Sequence, residues 1–385
     1  MEAGNVVEAG EAATHILSTN WIVVKTVFKH LSYIQLCRMR KVCRLWEGLA
    51  EAEQKKRNRI FWVLHQTHSE VGRAAAWYSS TTQEEVDGLI ETAPSKPAII
   101  IHFTTTRSSR HDTFIYESPD EDQETEAAPH RMSPVAACLA AYLPAGASIT
   151  SCSSGFIVGT PRAGGSPDVV VRRDASSVVF IPQRPGVSMR RFSATLEESL
   201  VNPHAVGFND DGVTKVKAVV LFVEESASDA SNFWECIQFQ GKEWASGVAV
   251  AGTIVNDVGT ARYPRPSFIA GIAFGGENLI ATSVVVSSYD GEVIRKQIGR
   301  LGPVDRPRGT QRIAFLFSAL GRAAQIGCMI ETHAFHSVYP DVPLFGVPSP
   351  WVIGIDSQRS PEREDIFNDY WLHVSSSLLV MLTFR

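Results

Sequence analysis

Between Leu17 and Trp46 apolar and polar positions alternate at helical spacing, twice over. Val24, Val27, Phe28 and Leu31 recur at i, i+3, i+4 and i+7, which puts one apolar stripe on a helix of about three turns. Leu36, Met39, Cys43 and Trp46 repeat the spacing. Val42, Leu45 and Leu49 widen that face, and Arg38, Arg40, Lys41 and Arg44 fill the opposite side. The pattern divides at Ser32 and predicts an αα-hairpin, with a third helix through Glu47 to Lys56. So short a segment cannot bury both faces of a hairpin alone. Its apolar edge belongs either to the corner of a larger core or to a partner.

From residue 63 the pattern changes. Glu84 to Ile90 predicts a helix, Ala98 to Phe103 a strand too apolar to face water, and Ser133-Pro134 opens a helix carrying Val135, Cys138, Leu139 and Tyr142. Apolar runs at 155–158, 169–171 and 178–181 are separated by proline and glycine. That leaves no room for crossover helices and predicts antiparallel hairpins. Asp210-Asp211-Gly212 marks a turn. After it come strands at 217–223, 247–254, 268–274, 280–286 and 313–317, helices at 231–239 and 332–338, and an apolar run at 342–346. Ser360-Pro361 opens a closing helix on which Phe367, Tyr370, Trp371, Val374, Leu378 and Met381 form one stripe. The expected class is α + α/β: a small N-terminal helical module, then two layered α/β domains with largely antiparallel or mixed sheets. The expected boundaries are a tail at 1–14, the helical module at 15–62, and domains at 63–215 and 216–385, the first with an acidic loop at 117–128.

Composition narrows the function. With 385 residues, 44% of them hydrophobic, the chain can hold large cores, and its formal charge of −5 gives no general basic field for nucleic acid. Cys37, Cys43, Cys138, Cys152, Cys236 and Cys328 form no CxxC pair and read as reduced thiols of a cytoplasmic or nuclear protein. The first fifteen residues lack the basic and apolar regions of a signal peptide, and the apolar tail from Val374 to Phe384 is shorter than a membrane span. No nucleotide-binding glycine loop, serine elbow or HExxH helix occurs. His333 and His336 could supply two metal ligands, but Glu331 alone does not complete a site. Ser151-Cys152-Ser153-Ser154-Gly155 reads equally as a nucleophile turn or as a polar bend before a strand. No catalytic residue, cofactor or metal is assigned.

Residue identities add a resemblance. Val27-Phe28-Lys29-His30-Leu31, Leu36-Cys37-Arg38 and above all Val42-Cys43-Arg44-Leu45-Trp46 resemble an F-box, with two departures: Leu17-Ser18 replaces the usual Leu-Pro entry, and Ser32 the usual turn proline. The resemblance implies docking onto Skp1, and through it a cullin, by Val27, Phe28, Leu31, Leu36, Val42 and Trp46. The elements that follow resemble the FIST domain of bacterial sensory proteins, carried by Ala230-Ser231-Asn232, Gly321-Arg322 and Pro340-x-Val342-Pro343-Leu344-Phe345-Gly346. That family's Gly-Glu-Ile-Gly loop is replaced here by Pro348 to Gly354, which removes the close glycine backbone and the glutamate that would hold an ammonium group. Ala319 stands where a cysteine is common. Together the two resemblances imply a non-catalytic substrate receptor of an SCF-type ubiquitin ligase. Its partners would be Skp1 and client proteins, not nucleic acid or membrane, and Phe345, Pro348, Pro350 and Trp351 are the candidate client contacts. The rival reading is a FIST module that senses a small molecule and regulates a partner.

Overall fold

A computed structural model describes residues 20–57, 59–66, 95–105, 148–161, 168–171, 175–194, 215–225, 247–260, 269–305, 309–322, 329–358 and 372–385. The tail, the acidic loop and the helices expected near 84–90, 133–142 and 231–239 lie outside them.

The N-terminal module is three helices: α1 (Trp21–Phe28), α2 (Tyr33–Met39) and α3 (Arg44–Lys56). The first two starts are capped by side chains. Asn20 Oδ1 accepts the backbone N–H groups of Ile22 and Val23. Ser32 and Gln35 form a reciprocal capping box, with Gln35 Oε1 accepting from Ser32 N at 2.8 Å. Ser32, standing where the turn proline is absent, thus starts the second helix. Val24, Phe28, Leu36 and Ala50 form the buried centre, with Leu31, Met39, Trp46 and Leu49 packed around it. The Phe28 and Trp46 rings meet edge-on at 5.4 Å.

The remainder is strand-rich and mixed, as the pattern predicts, and forms three sheets. Its strands are β1 (Phe61–Gln66), β2 (Pro97–Thr105), β3 (Ser148–Ser154), β4 (Phe156–Gly159), β5 (Asp168–Val171), β6 (Ala175–Pro182), β7 (Ser188–Ala194), β8 (Val216–Glu224) and β9 (Ala249–Val255). They continue with β10 (Asp257–Thr260), β11 (Ile269–Gly275), β12 (Leu279–Val286), β13 (Gln311–Ala319), β14 (Leu344–Ser349), β15 (Val352–Gly354), β16 (Leu372–His373) and β17 (Ser377–Phe384). Their orders are β1-β6-β2-β3-β10, then β16-β15-β9-β8-β11-β7, then β12-β17-β13-β14-β4-β5.

One plan recurs in all three. A parallel pair sits at the centre: β2 with β3, β8 with β9, β13 with β14. The first strand of each pair has an antiparallel neighbour, β6, β11 or β17, which in turn carries β1, β7 or β12. The second strand carries a short antiparallel one, β10, β15 or β4. The sheets also exchange strands in a cycle. The chain leaving β6 enters the second sheet as β7, the chain leaving β11 enters the third as β12, and β1 completes the first. Likewise β4, β10 and β15 each leave the sheet of the preceding strand for another. A cut at residue 215/216 would therefore divide every sheet, so the two halves expected from the sequence share all three.

The sheets enclose one core, in which Phe103 of β2, Phe222 of β8 and Phe315 and Phe317 of β13 meet. Phe222 lies 5.9 Å from Phe103 and 6.0 Å from Phe317. On the outer side of the third sheet lie α4 (Gly291–Ile298), a short 3-10 turn at Gly299–Leu301 and α5 (Met329–Val338), packed through Ile294, Ile298, Leu301, Ala334, Phe335 and Tyr339. Helix α5 carries the predicted 332–338 segment. Helix α4 was not expected, nor were β1, β3 and β7. The closing helix is corrected in part: Leu378 and Met381 belong to β17, a strand in which all eight residues are buried. The run from Leu378 to Leu382 has no polar position and satisfies helical spacing and strand alternation alike, and two-sided burial decides for the strand.

An exposed apolar stripe on the helical module

The structure separates the six predicted docking residues. Phe28 (1% exposed) and Leu36 (0%) belong to the module's own centre, and Leu31 and Trp46 are half-buried against it. Val27 (44%) and Val42 (57%) face outward. They have company: Trp21, Ile22 and Val23 on α1 and Leu45 at the start of α3 are exposed as well. The two groups sit on elements joined by the Phe28–Trp46 contact. Trp21, Ile22 and Val23 lie outside the 24, 27, 28, 31 spacing, so periodicity does not single them out. Apolar residues off the stripe leave α1 with Lys25 and Thr26 as its only polar positions. Exposed apolar side chains on so small a module make it a candidate interaction surface.

Two devices hold this surface rigid. Arg57, just past α3, donates to the carbonyls of Phe28 (2.6 Å) and Leu31 and pairs with Glu53 at 3.1 Å, so the open end of α1 is capped by a charge from α3. Four residues then separate α3 from β1, and among them Ile60 is buried with its N–H on Gln311 Oε1 at 2.9 Å.

The candidate client contacts fare differently. Phe345 and Pro348 are corrected as surface residues: both are buried in β14, where Phe345 meets the Trp62 ring and the Pro348 carbonyl accepts from Ser154 Oγ. The apolar run around them is a central strand, covered on both faces. Pro350 is exposed, and Trp351 is half-buried against Val250 and its neighbours. Ser151 and Cys152 lie within β3, not on a turn. Ser151 Oγ sits 2.9 Å from His102 Nδ1 in the parallel register of β2 and β3. His333 is exposed and His336 half-buried on α5.

Burial holds the His102 pKa down at about 4, so the ring is neutral near pH 7. A histidine whose folded pKa lies below its unfolded value stabilises fully above about 6.5, and that stability drains as pH falls toward 4. The difference amounts to about 3 kcal/mol. The melting temperature should fall across that window, and His102→Gln should flatten the fall. Parallel wild-type and variant curves would show that His102 does not carry it.

Comparison with known proteins agrees with the geometry. The family model for the F-box domain matches residues 22–58, the three helices described above. F-box only protein 22 of Pongo abelii is 23% identical over 368 residues, covering 89% of this chain and 86% of that protein. The Homo sapiens protein of the same name is 22% identical over 366 residues, with the same coverage of 89% and 86%. Among solved structures, a cyanuric acid hydrolase from A. caulinodans is 10% identical, covers 85% of this chain and 100% of its own, and has a TM-score of 0.37. A second cyanuric acid hydrolase structure is 13% identical with 85% and 99% coverage and a TM-score of 0.38. Likeness at that level carries no argument about fold or activity. Residues 22–58 match the F-box domain, and most of the chain is similar, at 22–23% identity, to F-box only protein 22.

Proposed function

We propose that this chain is the substrate-recognition subunit of an SCF ubiquitin ligase: the F-box docks Skp1, which links it to a cullin, and the strand-rich region selects the client. The observation that carries this is the outward-facing set of Ile22, Val27, Val42 and Leu45 within the matched F-box, with Trp21 just ahead of it. F-box domains generally bind Skp1 within SCF complexes, and a specific interface buries about 800 Å² on each partner. Such a receptor needs no catalytic group of its own. Holding a client lysine beside a charged conjugating enzyme supplies effective concentration, and the thioester chemistry belongs to other subunits. The client is degraded after ubiquitination, in cytoplasm or nucleus.

Capture from cells tests this. The wild-type chain should bring down Skp1 and a cullin, and a Val27→Asp/Val42→Asp chain should bring down neither while still holding its clients. A folded wild-type chain that recovers neither Skp1 nor a cullin would end the receptor reading.

A further inference from the structure

The strand-rich region has two unlike ends. The helical module is tied to one of them: the Ile60 N–H reaches Gln311 at the start of β13, and Ser95, ahead of β2, donates to the Arg59 carbonyl at 3.1 Å. The parallel pairs run from there to the other end. There β3, β9 and β14 finish together, with Ser154 bonding the Pro348 carbonyl and Thr253 bonding Ser349 and the Trp351 carbonyl. Along nine-residue β13 the two ends stand about 26 Å apart.

The far end is apolar. Tyr289, Ile330, Pro350 and Val374 are exposed there and Trp351 is half-buried, on four segments that the fold brings together. The β15–β16 register, Val352 with His373, sets Trp351 opposite Val374 at the next position. A methyl group on Gly321 would stand 3.4 Å from the Val374 carbonyl oxygen. The next residue, Arg322, stacks on Tyr289 at 4.8 Å and pairs with Glu331 beside Ile330. Exposed apolar surface of this kind, gathered from separate segments, marks a place where a partner docks.

Charge separates the two ends as well. Lys96 and Lys215, exposed just ahead of β2 and β8, stand at the module's end. At the far end Asp290 follows Tyr289, and both are exposed. Exposed Glu225 follows β8 and accepts from Asn256 at 3.3 Å, two residues past Ile254, whose N–H bonds the Trp351 carbonyl. Among the described strands, none has a lysine or arginine as its terminal residue at that end. A nucleic acid would be repelled there, and a second copy would set these carboxylates against their own kind. A receptor must also hold Skp1 and its client at once, so the client face has to lie clear of the module. We propose that this far end is the client-binding face and that it takes a basic, apolar protein segment. Apolar or aromatic side chains would pack on Tyr289, Ile330, Trp351 and Val374, with Lys or Arg facing Glu225 and Asp290. This rests on the receptor reading above and adds the class of client.

Selection of phage-displayed random peptides on the purified full-length chain tests it. The recovered peptides should combine apolar residues with an excess of Lys and Arg. A synthetic copy should bind the Ile330→Glu/Val374→Glu chain about tenfold more weakly than the wild type. Its affinity for the wild type should fall about threefold or more between about 50 and about 500 mM salt. Glu225→Lys, which leaves every apolar contact in place, should weaken the peptide about threefold at low salt and less at high salt. Both variants should melt with the wild type and bind Skp1 as it does, which shows that they are folded. No enrichment, enrichment of neutral or acidic peptides, or equal binding by Ile330→Glu/Val374→Glu would overturn the face, and intact Skp1 binding would leave the receptor reading standing. Dimerisation of the wild type that this variant abolishes would give the face to a second copy and overturn the proposal too. A wild-type chain that does not bind Skp1 would overturn the receptor reading, whatever the peptides do.

Discussion

If the receptor reading holds, Val27→Asp and Val42→Asp should each weaken Skp1 binding by about a hundredfold and move the melting temperature by less than about 2 °C. Both side chains are outward-facing, so the free chain loses no packing when they change. In the complex each would bury a carboxylate without a partner, which costs several kcal/mol or forces the interface apart. Phe28→Ala provides the contrast. That ring is 1% exposed and edge-stacked on Trp46, so truncation costs about 3–5 kcal/mol of stability. It would abolish docking by loosening the module, and a melting curve alone would reveal the difference. Surface plasmon resonance beside thermal melts separates the two classes. A folded Val27→Asp chain that binds Skp1 like the wild type would remove Val27 from the interface.

The second large effect lies far from the F-box. Arg322 and Glu331 form an ion pair at 2.5 Å with both side chains fully buried, joining the end of β13 to the first turn of α5. Glu331 also accepts from Ser377 Oγ of β17 at 2.6 Å, and Arg322 donates to the Ser288 carbonyl and stacks on Tyr289 at 4.8 Å. Four separate segments meet in one charge pair. Glu331→Gln leaves a guanidinium buried without its counter-charge and should cost about 3–5 kcal/mol, read as a shift in denaturant midpoint. The double change Arg322→Met/Glu331→Leu should recover most of that loss, because removing both charges also removes the cost of burying them. A Glu331→Gln chain as stable as the wild type would show that the pair does not hold these segments together. The Gly321-Arg322 run that stands out in the sequence thus has a structural role.

How much of this was legible beforehand depends on the kind of pattern. The F-box helices were, because an apolar stripe at 3.6 spacing and a signature ending at Trp46 agree on one element. Periodicity could not say which side of the stripe faces out. Val27 and Phe28 are adjacent and equally apolar, and only packing against Trp46 turns Phe28 inward. In the sheets, runs such as Val219 to Val223 were plain, whereas β3, with Thr150, Ser151, Ser153 and Ser154, was not: these hydroxyls are buried, which composition alone does not reveal. Helix α4 carries a readable signal in its Asp290 cap and the Ile294–Ile298 pair, a short one between two strong strands. The strand exchange among the three sheets had no local signal at all. Pairing Gly346 with Val158, or Ile269 with Ala194, is a long-range choice made by the assembled core.

The decisive measurement is a calorimetric titration of the purified full-length chain with purified Skp1. Burial of the stripe predicts saturable one-to-one binding with a Kd of ~1 µM or tighter and a negative heat-capacity change, the mark of apolar surface leaving water. A folded chain that gives no saturable binding up to ~50 µM Skp1, or binds with no heat-capacity change, would contradict docking through the stripe.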